Sequence, residues 1–166
     1  MSLIALALAF LLAAACSSGP LTVAIAPSLL VPSLEALDTW NAALARECAI
    51  EFRLADRETA DIEILEGDAR GSLGYTYDWR IEIAPDRQEA WVLPETIAHE
   101  LGHALGLLDN TDPTSLMNGA PAVPHGPRPS RRDAREACGK SGAVVDVEHI
   151  LGEKSEASVS EQEDGP

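Results

Sequence analysis

The chain has 166 residues, 46% of them hydrophobic and 23% charged, with a formal net charge of −15 at pH 7. Such a length supports one domain around one core and leaves too little for a second. Twelve Lys and Arg stand against 27 Asp and Glu, so the clustered cations of a phosphate-binding surface are missing and nucleic acid is excluded as a partner.

At the N-terminus, Leu3 to Ala15 is an unbroken apolar run followed by Cys16-Ser17-Ser18-Gly19. It is too short to span a bilayer and is flanked by the small residues a cleavage site requires, so 1–15 reads as a secretory signal. Ala13-Ala14-Ala15-Cys16 resembles a bacterial lipobox. That resemblance implies lipidation of Cys16, with 16–20 as a short linker and the bacterial cell envelope as the location. Cleavage after Ala15 without lipid, giving a soluble secreted protein, is the other outcome. Export places the chain in an oxidising compartment, where three cysteines leave one over. If Cys16 carries lipid, Cys48 and Cys138 are a natural pair; the alternative is two unpaired buried thiols.

Thr22 to Ala26 is a short apolar strand ended by Pro27. Ser33 supplies a capping hydroxyl for a helix with Glu35 in its first turn, and Leu34, Leu37, Trp40, Leu44 and Cys48 fall on one buried stripe. Ile50 to Leu54, Ile62-Glu63-Ile64 and Ile81-Glu82-Ile83 alternate as half-buried strands, separated by turn-forming Gly67, Gly71 and Gly74. An α+β domain follows, a mixed sheet backed by helices. The acidic stretch 56–68 either binds calcium or is a solvated loop.

Pro94 and Glu95 suit the first turn of the next helix, where a missing N–H costs nothing and a carboxylate meets the positive end of the dipole. Ile97, Leu101 and Leu105 form its buried stripe. Within it, residues 99 to 109 read His-Glu-Leu-Gly-His-Ala-Leu-Gly-Leu-Leu-Asp. His99 and His103 are four apart and share another face, so both imidazoles can hold one zinc ion, while Glu100 is placed to take a proton from an activated water. Gly106 ends the helix in a left-handed turn that swings the chain back, which makes Asp109 the next ligand. Three protein ligands with an open fourth position describe a catalytic rather than a structural zinc site. His125 and Glu136 are competing third ligands, and His149 reads as a surface residue.

This segment resembles the metzincin motif HExxHxxGxx followed by a third ligand, with the Asp of the snapalysin-like members where most metzincins have His. Ser115-Leu116-Met117-Asn118 resembles the family's Met-turn, and Met117 is then the methionine lying beneath the metal without binding it. More weakly, Leu34 to Cys48 resembles the matrixin first helix, Ala60 to Ile64 the third strand, Arg80 to Pro85 the last strand, and Ser130-Arg131-Arg132-Asp133 the start of the final helix. The resemblance implies a metzincin-like catalytic domain over 21–139 with a long first helix, an active-site helix and a C-terminal helix. It implies a zinc-dependent endopeptidase with one catalytic Zn²⁺, a polypeptide substrate and Glu100 as general base. Tyr75 and Tyr77 lie where the matrixin edge strand holds substrate, and either face the cleft or are plain strand packing. The stretch before the first strand is too short for the family's inhibitory propeptide, and 67–80 for its structural zinc and calcium loops, so the protein is expected to be made active.

From Lys140 onward there are seven acidic and two basic residues, and 140–166 reads as an acidic, largely disordered tail on a monomer. The competing functional reading is a catalytically idle metzincin-like lipoprotein that binds a polypeptide or cell-wall component. Glu100 argues against it, since a binding module needs no general base beside two metal ligands.

Overall fold

The computed structural model describes residues 20–118 and 128–140. The signal at 1–15, Cys16, His125, His149 and the tail from 141 onward lie outside the described residues.

A five-stranded mixed sheet forms one layer, in the spatial order β2-β1-β3-β5-β4. Strands β1 (Leu21–Ile25), β2 (Phe52–Leu54), β3 (Ile62–Glu66) and β5 (Arg80–Ile83) run parallel, and β4 (Gly74–Tyr77) pairs antiparallel with β5. Parallel neighbours need a crossover, which α1 (Leu30–Leu44) supplies between β1 and β2. The antiparallel pair needs only a two-residue turn. Asp78 and Trp79 make it with φ of 45° and 62°, the backbone of a type I′ hairpin without its usual glycine.

Register decides which face each strand residue uses. Val23 pairs with Ile62, Ile64 with Ile81, Ile81 with Thr76 and Ile83 with Gly74, so these side chains share the core face. The four isoleucines and Val23 are fully buried there, under α1 and α2 (Leu93–Ala104). Glu63, Arg80, Glu82, Tyr75 and Tyr77 take the other face. Across the helical layer, the Trp40 indole N–H of α1 donates to the Ala98 carbonyl of α2 at 2.7 Å, giving the largest buried side chain a polar anchor. The C-terminal helix α3 (Arg131–Lys140) is joined to the end of α1 by the Cys48–Cys138 disulfide. Such a bond suits an oxidising, extracytoplasmic compartment. Among the described residues, no helix is long and apolar enough to cross a membrane.

Several local expectations are corrected. Helix α1 starts at Leu30, after a 3-10 turn over Pro27–Leu29, so Ser33 caps nothing and is buried inside the helix, and Glu35 lies beyond the first turn. Pro27 sets the first turn instead, because its fixed φ suits that position. The helix stops at Leu44, leaving Cys48 beyond its end, and its buried stripe is Ser33, Ala36, Leu37, Trp40 and Leu44, with Leu34 turned outward at 37% exposure. At about 100° per residue the buried stripe centres on Trp40 and Leu44, which leaves Leu34 on its margin. Gly74 belongs to β4 rather than to a turn.

Candidate metal centre

Helix α2 delivers the two histidines. Its first turn contains Pro94 and Glu95, and Ile97 and Leu101 bury one face, leaving His99 and His103 half-buried on another. At its C-terminal end the Gly106 N–H reaches the His103 carbonyl at 2.8 Å and the Leu107 N–H the Gly102 carbonyl at 2.9 Å. That pair of bonds is the Schellman motif, and Gly106 supplies its left-handed residue with φ of 83°. The reversal has two consequences. It places the Leu107 carbonyl 2.9 Å from His103 Nδ1, and it returns Asp109 toward the helix.

His99 Nδ1 is in turn 2.9 Å from the Leu116 carbonyl. Carbonyl oxygens only accept, so both Nδ1 atoms carry hydrogen, and in the neutral rings both Nε2 atoms present lone pairs. Those Nε2 atoms lie 3.1 Å apart, and Asp109 Oδ1 lies 3.1 Å from the first and 3.4 Å from the second. Three acceptors thus converge with no proton between neutral rings, an arrangement that a cation relieves. Tetrahedral zinc with bonds of about 2.0–2.2 Å separates neighbouring donor atoms by about 3.3 Å, so the spacing fits. His99, His103 and Asp109 form a group able to hold one metal ion, and Asp109 remains 65% exposed on its side chain, which leaves the centre open to solvent. Among the described residues no other His, Cys, Asp and Glu group of this kind occurs, and Glu136 instead pairs with Lys140 at 2.9 Å.

Glu100 projects toward β4 and is 6% exposed. Burial pushes its carboxyl above the ordinary value, against the opposing pull of the Thr76 hydroxyl and the two histidines. Thr76 Oγ1 donates to Glu100 Oε2 at 2.6 Å.

Met117, 1% exposed, lies against Gly102, where an added Cβ would collide with its Sδ. It therefore supports α2 one residue before His103. The turn that carries it is tied on both sides, with the Asn110 N–H donating to the Met117 carbonyl at 2.8 Å.

Sequence reasoning missed what holds this turn from the other side. Asp133, buried in the first turn of α3, accepts from Ser115 Oγ at 2.8 Å and from the Leu116 N–H at 3.3 Å. It also accepts from the Ser130 N–H at 2.8 Å, while the Asp133 N–H donates to Ser130 Oγ at 3.1 Å. This reciprocal capping pattern, Ser-x-x-Asp, was the available signal. Tyr75 and Tyr77 do not line the centre. They stand on the far face of β4, where Arg70 stacks over the Tyr75 ring at 4.4 Å and the Tyr77 hydroxyl donates to Glu82 at 2.7 Å. The register makes Gly74 and Thr76 the residues that face α2.

Comparison with protein-family models and with curated protein sequences finds no match to this chain.

Proposed function

We propose that this protein is a zinc-dependent endopeptidase of the metzincin type that cleaves polypeptides outside the cytoplasm. The observation that carries the reading is the convergence of His99 Nε2, His103 Nε2 and Asp109 Oδ1 within 3.4 Å of one another, with Glu100 buried alongside. Two imidazoles and one carboxylate are a donor set that zinc accepts with a further position left open. When bound, zinc supplies Lewis acidity, polarising the scissile carbonyl and acidifying water.

The chain's own groups do the rest. The Leu116 and Leu107 carbonyls hold both imidazoles in the Nδ1–H tautomer, so that Nε2 stays available. Glu100 has Oε2 engaged by Thr76, which leaves Oε1 to take the proton of the attacking water and pass it to the leaving amine. Export through the 1–15 segment, with lipid on Cys16 as anchor, agrees with a pairing that uses the other two cysteines and leaves this one over.

The test is metal analysis of the purified exported chain, followed by casein or peptide-library cleavage with and without a chelator. Stoichiometric zinc and chelator-sensitive cleavage are expected. Glu100→Gln is expected to keep its zinc and lose about 10²–10⁴-fold in kcat. Stoichiometric zinc without cleavage sinks the peptidase reading and leaves the idle binding module.

A further inference from the structure

The contact between β4 and α2 is built around Glu100. Alternation along the strand presents Gly74 and Thr76 to the helix. Thr76 Oγ1 lies 2.6 Å from Glu100 Oε2 and 3.1 Å from the Glu100 carbonyl oxygen. The hydroxyl has one proton, and the shorter contact to the carboxylate takes it, because a charged acceptor makes the stronger bond. Gly74 acts on the other side of the same carboxyl: a Cβ there would stand 2.7 Å from Glu100 Cγ, 2.8 Å from Oε1 and 2.9 Å from Thr96 Cγ2 of the same helix. One residue thus grips one oxygen, and its neighbour on the same strand face keeps the space that the other oxygen occupies.

The strand is itself fixed to the helix. Gln88 Nε2 donates to the Leu73 carbonyl at 3.0 Å, and Gln88 Oε1 accepts from the Thr96 hydroxyl of α2 at 2.7 Å. This tie sits at the residue before β4 begins, so Gly74 and Thr76 are held at a set distance from Glu100. The pairing of strand face and helix face therefore places Glu100 between the Thr76 hydroxyl and the Gly74 backbone.

We propose that Thr76 and Gly74 are positioning residues for the general base, Thr76 by orienting the Glu100 carboxylate and Gly74 by admitting it. The proposal rests on the endopeptidase reading. A general base has to meet its proton at hydrogen-bond reach, and a displacement of about 1 Å costs up to about 10²-fold in rate.

Full-length zinc-loaded protein is compared as wild type, Thr76→Val, Thr76→Ser, Gly74→Ala and Glu100→Gln, with a quenched fluorescent casein peptide as substrate and with zinc affinity measured by chelator competition. Valine keeps the shape of threonine without its hydroxyl. Thr76→Val is expected to lower kcat by about 10–100-fold with KM and zinc affinity changed less than about threefold, and Thr76→Ser to recover most of that loss. Gly74→Ala approaches the same seat by steric means and is expected to lower kcat with KM and zinc affinity held, so the proposal does not hang on one variant's folding. Crystals of metal-free Thr76→Val are expected to show the Glu100 carboxylate displaced by about 1 Å, a readout independent of turnover.

A kcat within about twofold of wild type in both Thr76→Val and Gly74→Ala, with Glu100→Gln inactive, overturns the positioning role while leaving the peptidase intact. Thr76→Ser as impaired as Thr76→Val also overturns it, since the hydroxyl would then not be the active feature. An active Glu100→Gln is a separate result that defeats the peptidase mechanism itself.

Discussion

Two glycines in helical segments make opposite predictions because their surroundings differ. Gly102 lies next to the face of α2 that carries His99 and His103, and a Cβ there would meet Met117 Sδ and stand 3.3 Å from Trp40 Cζ2. Both neighbours are fully buried and cannot yield without disturbing the core. Gly102→Ala is therefore expected to cost about 1–3 kcal/mol of stability, read by urea unfolding of metal-free protein. It should also weaken zinc binding, because the displaced Met117 follows directly on Leu116, whose carbonyl orients His99. Gly139 in α3 has nothing within 4 Å of its absent Cβ. There the backbone entropy argument stands alone, and Gly139→Ala should stabilise by about 0.5–1 kcal/mol. If Gly102→Ala left stability unchanged or raised it, as Gly139→Ala is expected to, packing against Met117 would not be what keeps residue 102 a glycine.

At the scale of elements, the centre depends on how α2 ends and on what grips the turn after it. Gly106 has φ of 83°, which a residue with a Cβ enters at a cost of about 1–2 kcal/mol. Asp133→Asn tests the other support: it keeps the side-chain shape but turns one of the acceptor oxygens into a donor, facing Ser115 Oγ or the backbone N–H groups. Zinc affinity in that variant should fall by about 10–100-fold, the usual effect of removing an outer partner of a ligating histidine. Competition with a chromophoric chelator reads it, and an unchanged affinity would mean that the Leu116 carbonyl stays in place without Asp133. The sequence carried α2 and its turn well because their determinants are local: histidines four apart, Pro94 near the start, Gly106 at the reversal. Asp133 was hidden because its partners Ser115 and Leu116 are remote in sequence and only tertiary packing brings them together. The outward turn of Tyr75 and Tyr77 was hidden for a similar reason. Their face is set by the register of the β4–β5 hairpin, whose Asp78-Trp79 turn lacks the glycine that marks such turns. Ser33 looks like a cap in the sequence, but Pro27 begins the helical turn before it and leaves Ser33 inside the helix.

At the scale of the whole molecule, two carboxylates give stability opposite pH dependences. Glu47, after α1, accepts from Arg135 at 2.8 Å and also pairs with Arg131, and these guanidinium groups hold its carboxyl below the ordinary range. Its contribution is fully present above the unfolded-state value of about 4.3 and is lost as pH falls through the lowered folded value. Glu100 runs the other way in metal-free protein: burial raises it, so the folded state binds the extra proton and gains stability as pH falls from the raised value toward about 4.3. Metal-free protein should gain from Glu100 on mild acidification and lose from Glu47 below it. Urea unfolding across pH, compared with Glu100→Gln and Glu47→Gln, separates the two, since each variant removes one limb. The Glu47 pairs lie beside the Cys48–Cys138 bond, which closes a sequence separation of 90 residues and holds the helix that carries Asp133. Lys140 of the same helix donates to the Gly106 carbonyl at 2.8 Å, so α3 touches the centre at both of its ends. Replacing both cysteines by alanine should cost about 2–5 kcal/mol and also lower zinc affinity, since loosening α3 releases the supports of His99 and of the Gly106 turn together. Chelator competition on oxidised and double-alanine protein decides it: an equal affinity in the two would show that α3 docks by its charge pairs and Asp133 alone.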